Sequence, residues 1–314
     1  MRDVLDLKSI EKAAERISGY VLRTPTLRRP GRKRDCELFL KAENLQPTGA
    51  FKIRGAFNLM TTLDASAPGV VAHSSGNHAQ AVARAAKVFG IPAVVVMPSD
   101  APALKRARTA ADGAEIVTVG PDSQERKQEA ARIAEARGLV EVPPYDHPLI
   151  AAGQGTAALE LLADAGKLDR FYAPVSGGGL MAGCATTLHE LSPSTEIIGV
   201  EPEGANDTQL SLQSGERVIV APPATIADGL RVRTPGALTW PVVKALVRRV
   251  ETVSDEEMLD AMAWAVHELR IILEPSGAAS LAVALREGRG RCGVLLSGGN
   301  VDPEILQQAL ARGA

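Results

Sequence analysis

The sequence predicts an α/β fold with a mostly parallel sheet, and two observations carry this prediction. Short apolar runs rich in Val and Ile alternate with longer stretches of helical periodicity. Three of the runs end directly in a Ser-Gly turn, and parallel sheets bind ligands at this carboxyl-terminal edge. A chain of 314 residues is long enough for about two domains and a large core.

The predicted elements recur along the whole chain. Strand-like runs occupy residues 70–73, 93–96, 115–119, 171–175, 197–200 and 293–296. Helical patterns follow most of them, at residues 79–89, 123–137 and 180–191. Ser254 and Glu257 have the spacing of a capping box and predict the start of a helix that runs towards Ile271. The sequence contains no Ser/Gly linker, so we expect any second domain to be an insertion.

Composition excludes several classes of partner. The net charge is -2 and the charges are interspersed, which gives no reason to expect binding to nucleic acid or an anionic membrane. The first residues mix acids with apolar residues, unlike a signal peptide, and we expect a cytoplasmic protein without membrane spans. Cys36, Cys184 and Cys292 are widely spaced, which indicates neither a disulfide framework nor a zinc site.

Lys52 is the first candidate for chemistry. It stands between Phe51 and an apolar helical run that starts at Ile53. Partial desolvation favours the neutral amine, which adds to carbonyl groups, so Lys52 is a candidate Schiff-base lysine. Most lysines are solvated surface charges, and position alone leaves this alternative open.

The Ser-Gly turns are candidate binding loops. Ser176 to Gly179 follow a strand, and consecutive glycines let backbone N–H groups approach a phosphate at a helix start. The alternative is a tight turn that needs left-handed conformations. The spacing matches neither GxGxxG nor GxxxxGK, which argues against NAD binding or ATP hydrolysis. The turn at residues 74–78 also precedes a helix. Its backbone amides could bind a carboxylate, or a Ser or Asn of the turn could simply serve as the N-cap of the helix.

An acidic turn gives a weaker signal. Glu201 and Asp207 flank a turn that follows a predicted strand. Oxygen ligands of this kind suit Mg²⁺ or Ca²⁺, with water completing the shell. Most acidic turns are merely solvated, so the residues alone leave both possibilities open.

Together these motifs resemble the fold-type II pyridoxal phosphate enzymes, and within them the serine racemase and serine/threonine dehydratase group. The matching segments are residues 22–26 (LRTPT), 41–46 (KAENLQ), 49–56 (GAFKIRGA) and 296–302 (LSGGNVD). The resemblance implies two lobes, each with a mostly parallel sheet flanked by helices, and the cofactor between them. The large cofactor-binding domain would comprise residues 1–68 and 146–314, and the small mobile domain residues 69–145.

The resemblance also implies roles for individual residues. Lys52 matches the lysine that holds pyridoxal 5'-phosphate and later removes the Cα proton of the substrate. The other implied cofactor contacts are Phe51 against the ring, Asn77 at the 3-hydroxyl, Ser297 at the pyridine nitrogen, and Ser176, Gly177, Gly178 and Gly179 at the phosphate. Ser176 departs from the all-glycine run that is common in the group. A hydroxyl such as that of Ser297 cannot keep the pyridine nitrogen protonated, which favours β-elimination.

Further implied residues concern the substrate and a metal ion. The substrate carboxylate would dock on the turn formed by Ser74, Ser75, Gly76, Asn77 and His78. Ser75 matches the residue that faces Lys52 across the cofactor in racemases, although it is equally suited to capping a helix. Arg126 aligns with an arginine that contacts dicarboxylates, or is merely exposed. Glu201, the Ala205 carbonyl and Asp207 match the residues that bind a divalent cation.

The implied function is β-elimination, the dehydratase or ammonia-lyase reaction. An L-β-hydroxy amino acid such as serine or threonine would give a 2-keto acid and ammonia, with serine racemase activity as a further outcome. Dehydration of threo-3-hydroxyaspartate is the alternative substrate hypothesis. A non-catalytic α/β protein that binds a phosphorylated metabolite is the alternative from another class. Homodimers are common in the group, and we expect one here.

Overall fold

The computed structural model describes residues 5–74, 76–120 and 123–312. The strands are β1 (Thr26–Pro30), β2 (Cys36–Lys41), β3 (Val70–His73), β4 (Ala93–Pro98), β5 (Glu115–Val119), β6 (Val140–Glu141), β7 (Arg170–Pro174), β8 (Glu196–Pro202), β9 (Arg249–Val253) and β10 (Gly290–Leu295). The helices are α1 (Leu7–Ile17), α2 (Lys52–Met60), α3 (Asn77–Phe89), α4 (Ala103–Ala111), α5 (Ser123–Arg137), α6 (Pro148–Ala165), α7 (Gly179–Leu191), α8 (Asp207–Ser214), α9 (Trp240–Leu246), α10 (Asp255–Trp264), α11 (Pro275–Glu287) and α12 (Pro303–Leu310).

The strands of the described residues form two sheets. A six-stranded sheet has the order β1-β2-β10-β7-β8-β9, and a four-stranded sheet has the order β5-β4-β3-β6. Neighbouring strands are parallel throughout, except that β1 pairs with β2 in antiparallel register. The predicted α/β class with mostly parallel sheets is therefore confirmed. All strands of the smaller sheet lie between Val70 and Glu141.

The predicted strands are all present, but four others escaped sequence analysis. β1 lies at a sheet edge and carries two arginines, and β9 has only two apolar residues, Val250 and Val253, among its five. Neither has the continuous apolar run that marks a strand buried on both faces. β6 has only two residues, too few for a pattern. The apolar run of β2 is interrupted by Glu37 and ends at Lys41, although the strand is almost entirely buried.

The capping box at the start of α10 is confirmed. The Ser254 hydroxyl accepts the Glu257 N–H at 3.2 Å, and the Glu257 carboxylate accepts the Ser254 N–H at 2.9 Å. The helix runs towards Ile271 as predicted, but its last turn is not regular α-helix. Regular α-helix stops at Trp264, one wider π-helical turn follows, and Arg270 then adopts a left-handed φ of 61° that ends the helix.

Two packing features position the helices that carry the site. α7 lies close to α6 because both contribute glycines to the contact, and a Cβ added at Gly183 would lie 2.1 Å from the Ala151 carbonyl oxygen. α2 is fixed by a buried ionic cluster, in which Arg54 Nε lies 2.7 Å from Glu43 Oε2 and Arg54 Nη2 lies 2.8 Å from Glu160 Oε2. Although burial opposes it, the Arg54 charge keeps the pKa of Glu43 below its usual value.

Among the described residues, no helix combines the length and the apolarity that crossing a bilayer requires.

Candidate active site

A cavity of about 760 Å³ brings the three predicted Ser-Gly turns together. Its lining includes residues from the turn after β3, the turn after β7 and Ser297 after β10. The volume lies within the range of roughly 300–1,000 Å³ that is usual for small-molecule sites. All three strands have their carboxyl ends at this cavity, and α3 and α7, which follow two of them, contribute their first residues to its lining.

Lys52 starts α2, and its amine reaches the cavity. The Nζ atom donates to the Pro144 carbonyl oxygen at 2.7 Å and lies 5.2 Å from the centre of the Phe51 ring. Burial lowers the pKa of Lys52 to about 8. The neutral amine is therefore accessible near physiological pH, which a solvated lysine with a pKa of about 10.4 would not allow.

The turn after β7 contains two residues in the left-handed backbone conformation. Ser176 and Gly178 both adopt left-handed conformations, with φ of 52° and 89°. The Gly178 N–H donates to the Val175 carbonyl at 3.0 Å, and α7 begins directly afterwards. The Tyr145 ring packs against Gly177, where an added Cβ would lie 2.4 Å from the ring atoms. We refer to residues 176–179 as the glycine turn.

Asn77 is held on both ends of its amide. Its Nδ2 donates to Glu274 Oε1, and its Oδ1 accepts from Asn300 Nδ2 at 2.9 Å. An amide nitrogen carries two donors, so a second N–H of Asn77 can reach a ligand in the cavity. The orientation of this side chain is thus fixed before any ligand binds.

The rest of the turn after β3 is more occupied than the sequence indicates. The Ser74 N–H donates to the Val96 carbonyl at 3.1 Å, and the Gly76 N–H donates to the Ser74 hydroxyl at 3.1 Å. The N–H groups of Asn77 and His78 lie in the first turn of α3 and therefore have no hydrogen-bond acceptor within the helix. His78 Nε2 lies 2.8 Å from the Val142 carbonyl oxygen. Ser75 lies outside the described residues.

Buried serines form the wall near the end of β10. The Ser297 hydroxyl donates to the Ser276 carbonyl at 3.3 Å, and the Ser276 hydroxyl accepts the Gly229 N–H at 3.0 Å. Both serines line the cavity and are almost fully buried. Ser297 therefore presents a neutral hydroxyl, and no charge of its own, to a bound molecule.

A buried group of charges beside Asn77 could not be predicted from the sequence. Lys105 of α4 contacts Asp228, and its Nζ lies 3.5 Å from Glu274 Oε2. Burial raises the pKa of Glu274, while the Lys105 charge and the Asn77 hydrogen bond oppose this shift. The only sequence signal was the acid placed directly before the proline that opens α11.

The cavity carries an excess of positive charge. Its described lining contains seven cationic side chains, namely Lys52, Lys105, Arg126, Lys127, Arg217, Arg231 and Arg233, and four carboxylates, namely Glu141, Asp146, Asp228 and Glu274. The pKa of His73, at the end of β3, is lowered to about 4, mainly by burial and further by the positive charges of Arg126 and Lys127. This environment suits ligands with more than one negative group.

Glu201 and Asp207 lie together at the end of β8 and the start of α8. Glu201 Oε2 accepts the N–H groups of Thr208 and Gln209, at 3.0 and 2.9 Å. Both carboxylate oxygens of Asp207 are buried and have no hydrogen-bond partner in the part of the chain that the structure describes. Burial, then the Glu201 charge, raises the pKa of Asp207, and burial also raises that of Glu201.

This acidic pair has the chemistry of a small cation site. Burial destabilises the charged forms of both carboxylates, and a bound cation would stabilise these charged forms. The buried Ala205 lies in the turn between the two residues. No cluster of three or more His, Cys, Asp or Glu side chains suited to a metal occurs among the described residues. Waters and backbone carbonyls would have to complete the shell.

The residues that line the cavity fit a phosphorylated aldehyde such as pyridoxal 5'-phosphate. The Lys52 amine is desolvated and can add to a carbonyl. The glycine turn is so tightly covered by Tyr145 that a side chain at Gly177 would collide with it, and the N-terminus of the thirteen-residue α7 adjoins this turn.

Comparison with known proteins agrees with this fit. A sequence profile for the family described as "Pyridoxal-phosphate dependent enzyme" matches residues 17–298. An L-threo-3-hydroxyaspartate ammonia-lyase of a Pseudomonas species is 44% identical over 302 residues, covering 93% of this chain and 94% of that protein. An L-threonine ammonia-lyase of Geobacter sulfurreducens is 39% identical over 312 residues, covering 97% of this chain and 78% of that protein. The solved structure of maize serine racemase is similar with a TM-score of 0.92 and 40% identity, covering 98% and 97% of the two chains.

Proposed function

Because the chain belongs to the fold-type II family of pyridoxal-phosphate dependent enzymes, we propose that it eliminates water from an L-β-hydroxy amino acid and releases a 2-keto acid and ammonia. The observation that carries this proposal is the desolvated amine of Lys52, which shares one cavity with the glycine turn, Asn77 and Ser297. Relatives that act on hydroxy amino acids cover nearly the whole chain.

The proposed cofactor contacts follow the positions of these side chains. Lys52 would hold the aldehyde carbon, and Phe51 and Asn77 would contact the ring and its hydroxyl. Ser176 to Gly179 would bind the phosphate, with the amides beside Gly178 contributing most because the Gly178 N–H already donates to Val175. When bound, pyridoxal phosphate supplies an electron sink that stabilises negative charge at the substrate Cα.

Residues of the chain itself would remove the proton, bind the substrate carboxylate and set the charge of the ring nitrogen. Lys52, released from the cofactor by the substrate amine, would take the Cα proton, and its low pKa keeps the neutral base available at little cost. The first N–H groups of α3, at Asn77 and His78, would hold the substrate carboxylate. Ser297 would leave the ring nitrogen uncharged, which favours prompt loss of the β-hydroxyl.

A second substrate, threo-3-hydroxyaspartate, is favoured by the charge of the cavity. Apart from Lys52, which would hold the cofactor, six cationic side chains against four carboxylates line the cavity, and this charge suits a dicarboxylate better than serine or threonine, which have no charge on the side chain. Arg126 lines this cavity and would pair with the second carboxylate. A Pseudomonas relative at 44% identity is an L-threo-3-hydroxyaspartate ammonia-lyase.

Racemisation remains part of the proposal. A proton removed by Lys52 and returned from the opposite face would give the D-amino acid, and we propose Ser75 as that second acid. Measuring keto acid and D-amino acid from the same incubation with L-serine separates elimination from racemisation. A Ser75→Ala variant that loses only the D-product would support this role.

We also propose that Glu201, the Ala205 carbonyl and Asp207 bind Mg²⁺ or Ca²⁺. The support is the buried Asp207 carboxylate, whose oxygens have no hydrogen-bond partner among the described residues. The cation would stabilise the fold around α8, and α8 lies close to β9 of the larger sheet.

Three further expectations belong to the same proposal. Residues 69–145 would move as a small domain against residues 1–68 and 146–314 when substrate binds. A homodimer is supported by the exposed apolar side chains of Leu22, Leu45 and Ile272. Their backbone segments are neighbours, because Gln46 and Asn44, on either side of Leu45, hydrogen-bond to the backbone of Leu22 and Ile272. We expect the enzyme to act in the cytoplasm.

The deciding experiment combines a spectrum with product analysis. A visible absorption band that borohydride removes supports a covalent bond between Lys52 and the cofactor. Keto acid formation is then measured from L-serine, L-threonine and L-threo-3-hydroxyaspartate. A colourless protein that cannot be reconstituted and forms no product would instead support a non-catalytic protein that binds a phosphorylated metabolite.

A further inference from the structure

Asp146 lies at the rim of the cavity, directly after Tyr145, and its carboxylate binds three backbone N–H groups. Oδ2 accepts from Ala237 at 2.9 Å, and Oδ1 accepts from Leu238 at 2.8 Å and from Thr239 at 3.2 Å. These groups form the turn that precedes α9. Hydrogen bonds to an ionised carboxylate are stronger than neutral ones, so Asp146 fixes the position of this turn.

The same turn holds the glycine turn through Thr239. The Thr239 side chain is buried, and its hydroxyl donates to the Gly177 carbonyl at 2.7 Å. The Gly236 N–H donates to the same carbonyl at 3.3 Å. A Cβ added at Gly178 would lie 2.7 Å from Thr239 Oγ1, so the two turns are in direct contact.

Asp146 packs directly against the turn that contains Gly236 and Thr239. A Cβ added at Gly236 would lie 2.3 Å from Asp146 Oδ1 and 2.6 Å from Thr239 Oγ1. Residues 176–179 include three glycines, which are free to adopt many backbone conformations, and such a segment needs outside contacts to keep one of them. The bonds from Thr239 and Gly236 to the Gly177 carbonyl, together with the bond from the Gly178 N–H to Val175, fix the planar peptide unit between Gly177 and Gly178. This restricts the directions in which the flanking N–H groups of Gly177 and Gly179 can point.

We propose that Asp146 is a positioning residue for phosphate binding, which acts on the glycine turn through the hydroxyl of Thr239. The inference rests on the proposed function, because it concerns the turn that would hold the phosphate of the cofactor. It predicts that removing either Asp146 or the Thr239 hydroxyl weakens recognition of the phosphate and spares recognition of the ring.

The test compares two ligands that differ only in the phosphate, pyridoxal 5'-phosphate and pyridoxal. Both are titrated into cofactor-free protein, and dissociation constants are read from absorbance and fluorescence. Asp146→Asn and Thr239→Val should each raise the Kd for pyridoxal 5'-phosphate about tenfold, or about 1.4 kcal/mol, and leave the Kd for pyridoxal unchanged. The double variant should lose no more than each single one, because both act along one chain of contacts.

Two controls accompany the variants. Thr239→Ser keeps the hydroxyl and should bind like the unaltered protein. Asp164→Asn removes a carboxylate that bonds to Arg23 and Thr26 away from the cavity, and should change neither Kd. The ³¹P resonance of bound pyridoxal 5'-phosphate should shift in Asp146→Asn and Thr239→Val but not in the controls.

The outcomes separate this inference from the proposed function. If Asp146→Asn and Thr239→Val bind pyridoxal 5'-phosphate within about twofold of the unaltered protein, or if both ligands weaken equally, the positioning role is overturned. If the unaltered protein itself fails to bind pyridoxal 5'-phosphate, the proposed function falls instead. Should Asp146→Asn fail to fold, Asp146→Glu, which keeps the charge but displaces the carboxylate from the N–H groups of residues 237–239, takes its place under the same criteria.

Discussion

The amine of Lys52 donates to the carbonyl oxygen of Pro144 at 2.7 Å, across 92 positions of sequence. The acceptor is neutral, so it orients the amine without adding the negative charge that would stabilise the ammonium form. Desolvation therefore dominates, and it is the cause of the low pKa of Lys52. The same contact brings the helix that carries the amine next to the segment that carries Tyr145 and Asp146.

The rate of cofactor uptake should follow the titration of Lys52. Burial lowers its pKa to about 8, and only the neutral amine attacks a carbonyl. The rate at which cofactor-free protein acquires the visible band should therefore rise with pH, reach half its maximum near pH 8 and level off at about pH 9. Stopped-flow absorbance over pH 6 to 9.5 measures this, and a rate that still rises steeply above pH 9 would contradict the low pKa.

Replacing Lys52 by Ala should abolish turnover and leave the fold intact. The change removes the base and the covalent link but no buried packing that the core depends on, and general bases alone contribute about 10²–10⁴-fold to rate. Product analysis with L-threonine and L-threo-3-hydroxyaspartate gives the activity, and circular dichroism checks the fold. Retained full activity would refute the assignment of Lys52.

Replacing Arg126 by Leu should discriminate between substrates. Loss of a bidentate partner for the second carboxylate should lower kcat/KM for L-threo-3-hydroxyaspartate by about 10²-fold, with a much smaller effect on L-threonine. Lys127→Leu, at the neighbouring position that also lines the cavity, is the matched charge control. An equal loss for both substrates would show that Arg126 does not recognise the side chain.

Divalent cations should stabilise the protein through the acidic pair. At a cation concentration about 100 times its Kd, binding to the folded state adds about 2.7 kcal/mol to the free energy of unfolding. Thermal unfolding is measured with Mg²⁺, Ca²⁺ or EDTA for the unaltered protein and for Asp207→Asn. The rise in Tm should be absent in Asp207→Asn, and a rise of equal size in both proteins would place the cation elsewhere.

The buried partner of Glu43 should be costly to remove. Arg54→Met leaves the Glu43 charge buried without its main partner, and breaking one side of a buried ion pair costs about 3–5 kcal/mol. Arg132→Met breaks the exposed pair with Glu129 and should cause no measurable change in stability. Urea unfolding of both variants makes the comparison, and equal midpoints would show that the Arg54 cluster contributes little.

Much of the fold was predictable because buried parallel strands leave continuous apolar runs in sequence. The three Ser-Gly turns could be placed at one sheet edge for the same reason, and the structure brings Lys52, Asn77, Ser297 and the glycine turn to a single cavity. The edge strands β1 and β9 were not predicted, since polar residues interrupt their apolar pattern.

The part of the site that the sequence did not predict consists of side chains whose partners are distant in sequence. Asp146 and Thr239 meet only in the folded chain, at a separation of 93 positions, and neither belongs to a local motif. Lys105 similarly lies in a helix with no feature that distinguishes it from other lysines, and its partners Asp228 and Glu274 come from the other side of the cavity. Periodicity and motif spacing carry no information about such pairings.

The arrangement of the segment from Pro144 to His147 limits how this protein can be recombined with its relatives. Its four consecutive residues contact, in turn, the Lys52 amine, Gly177, the turn before α9 and the start of α6. A chimaera with a crossover point inside this stretch, or with an insertion of one residue, would move some of these contacts relative to the others. Exchanges between relatives should therefore transfer residues 144–147 as one block, together with the turn at residues 236–239.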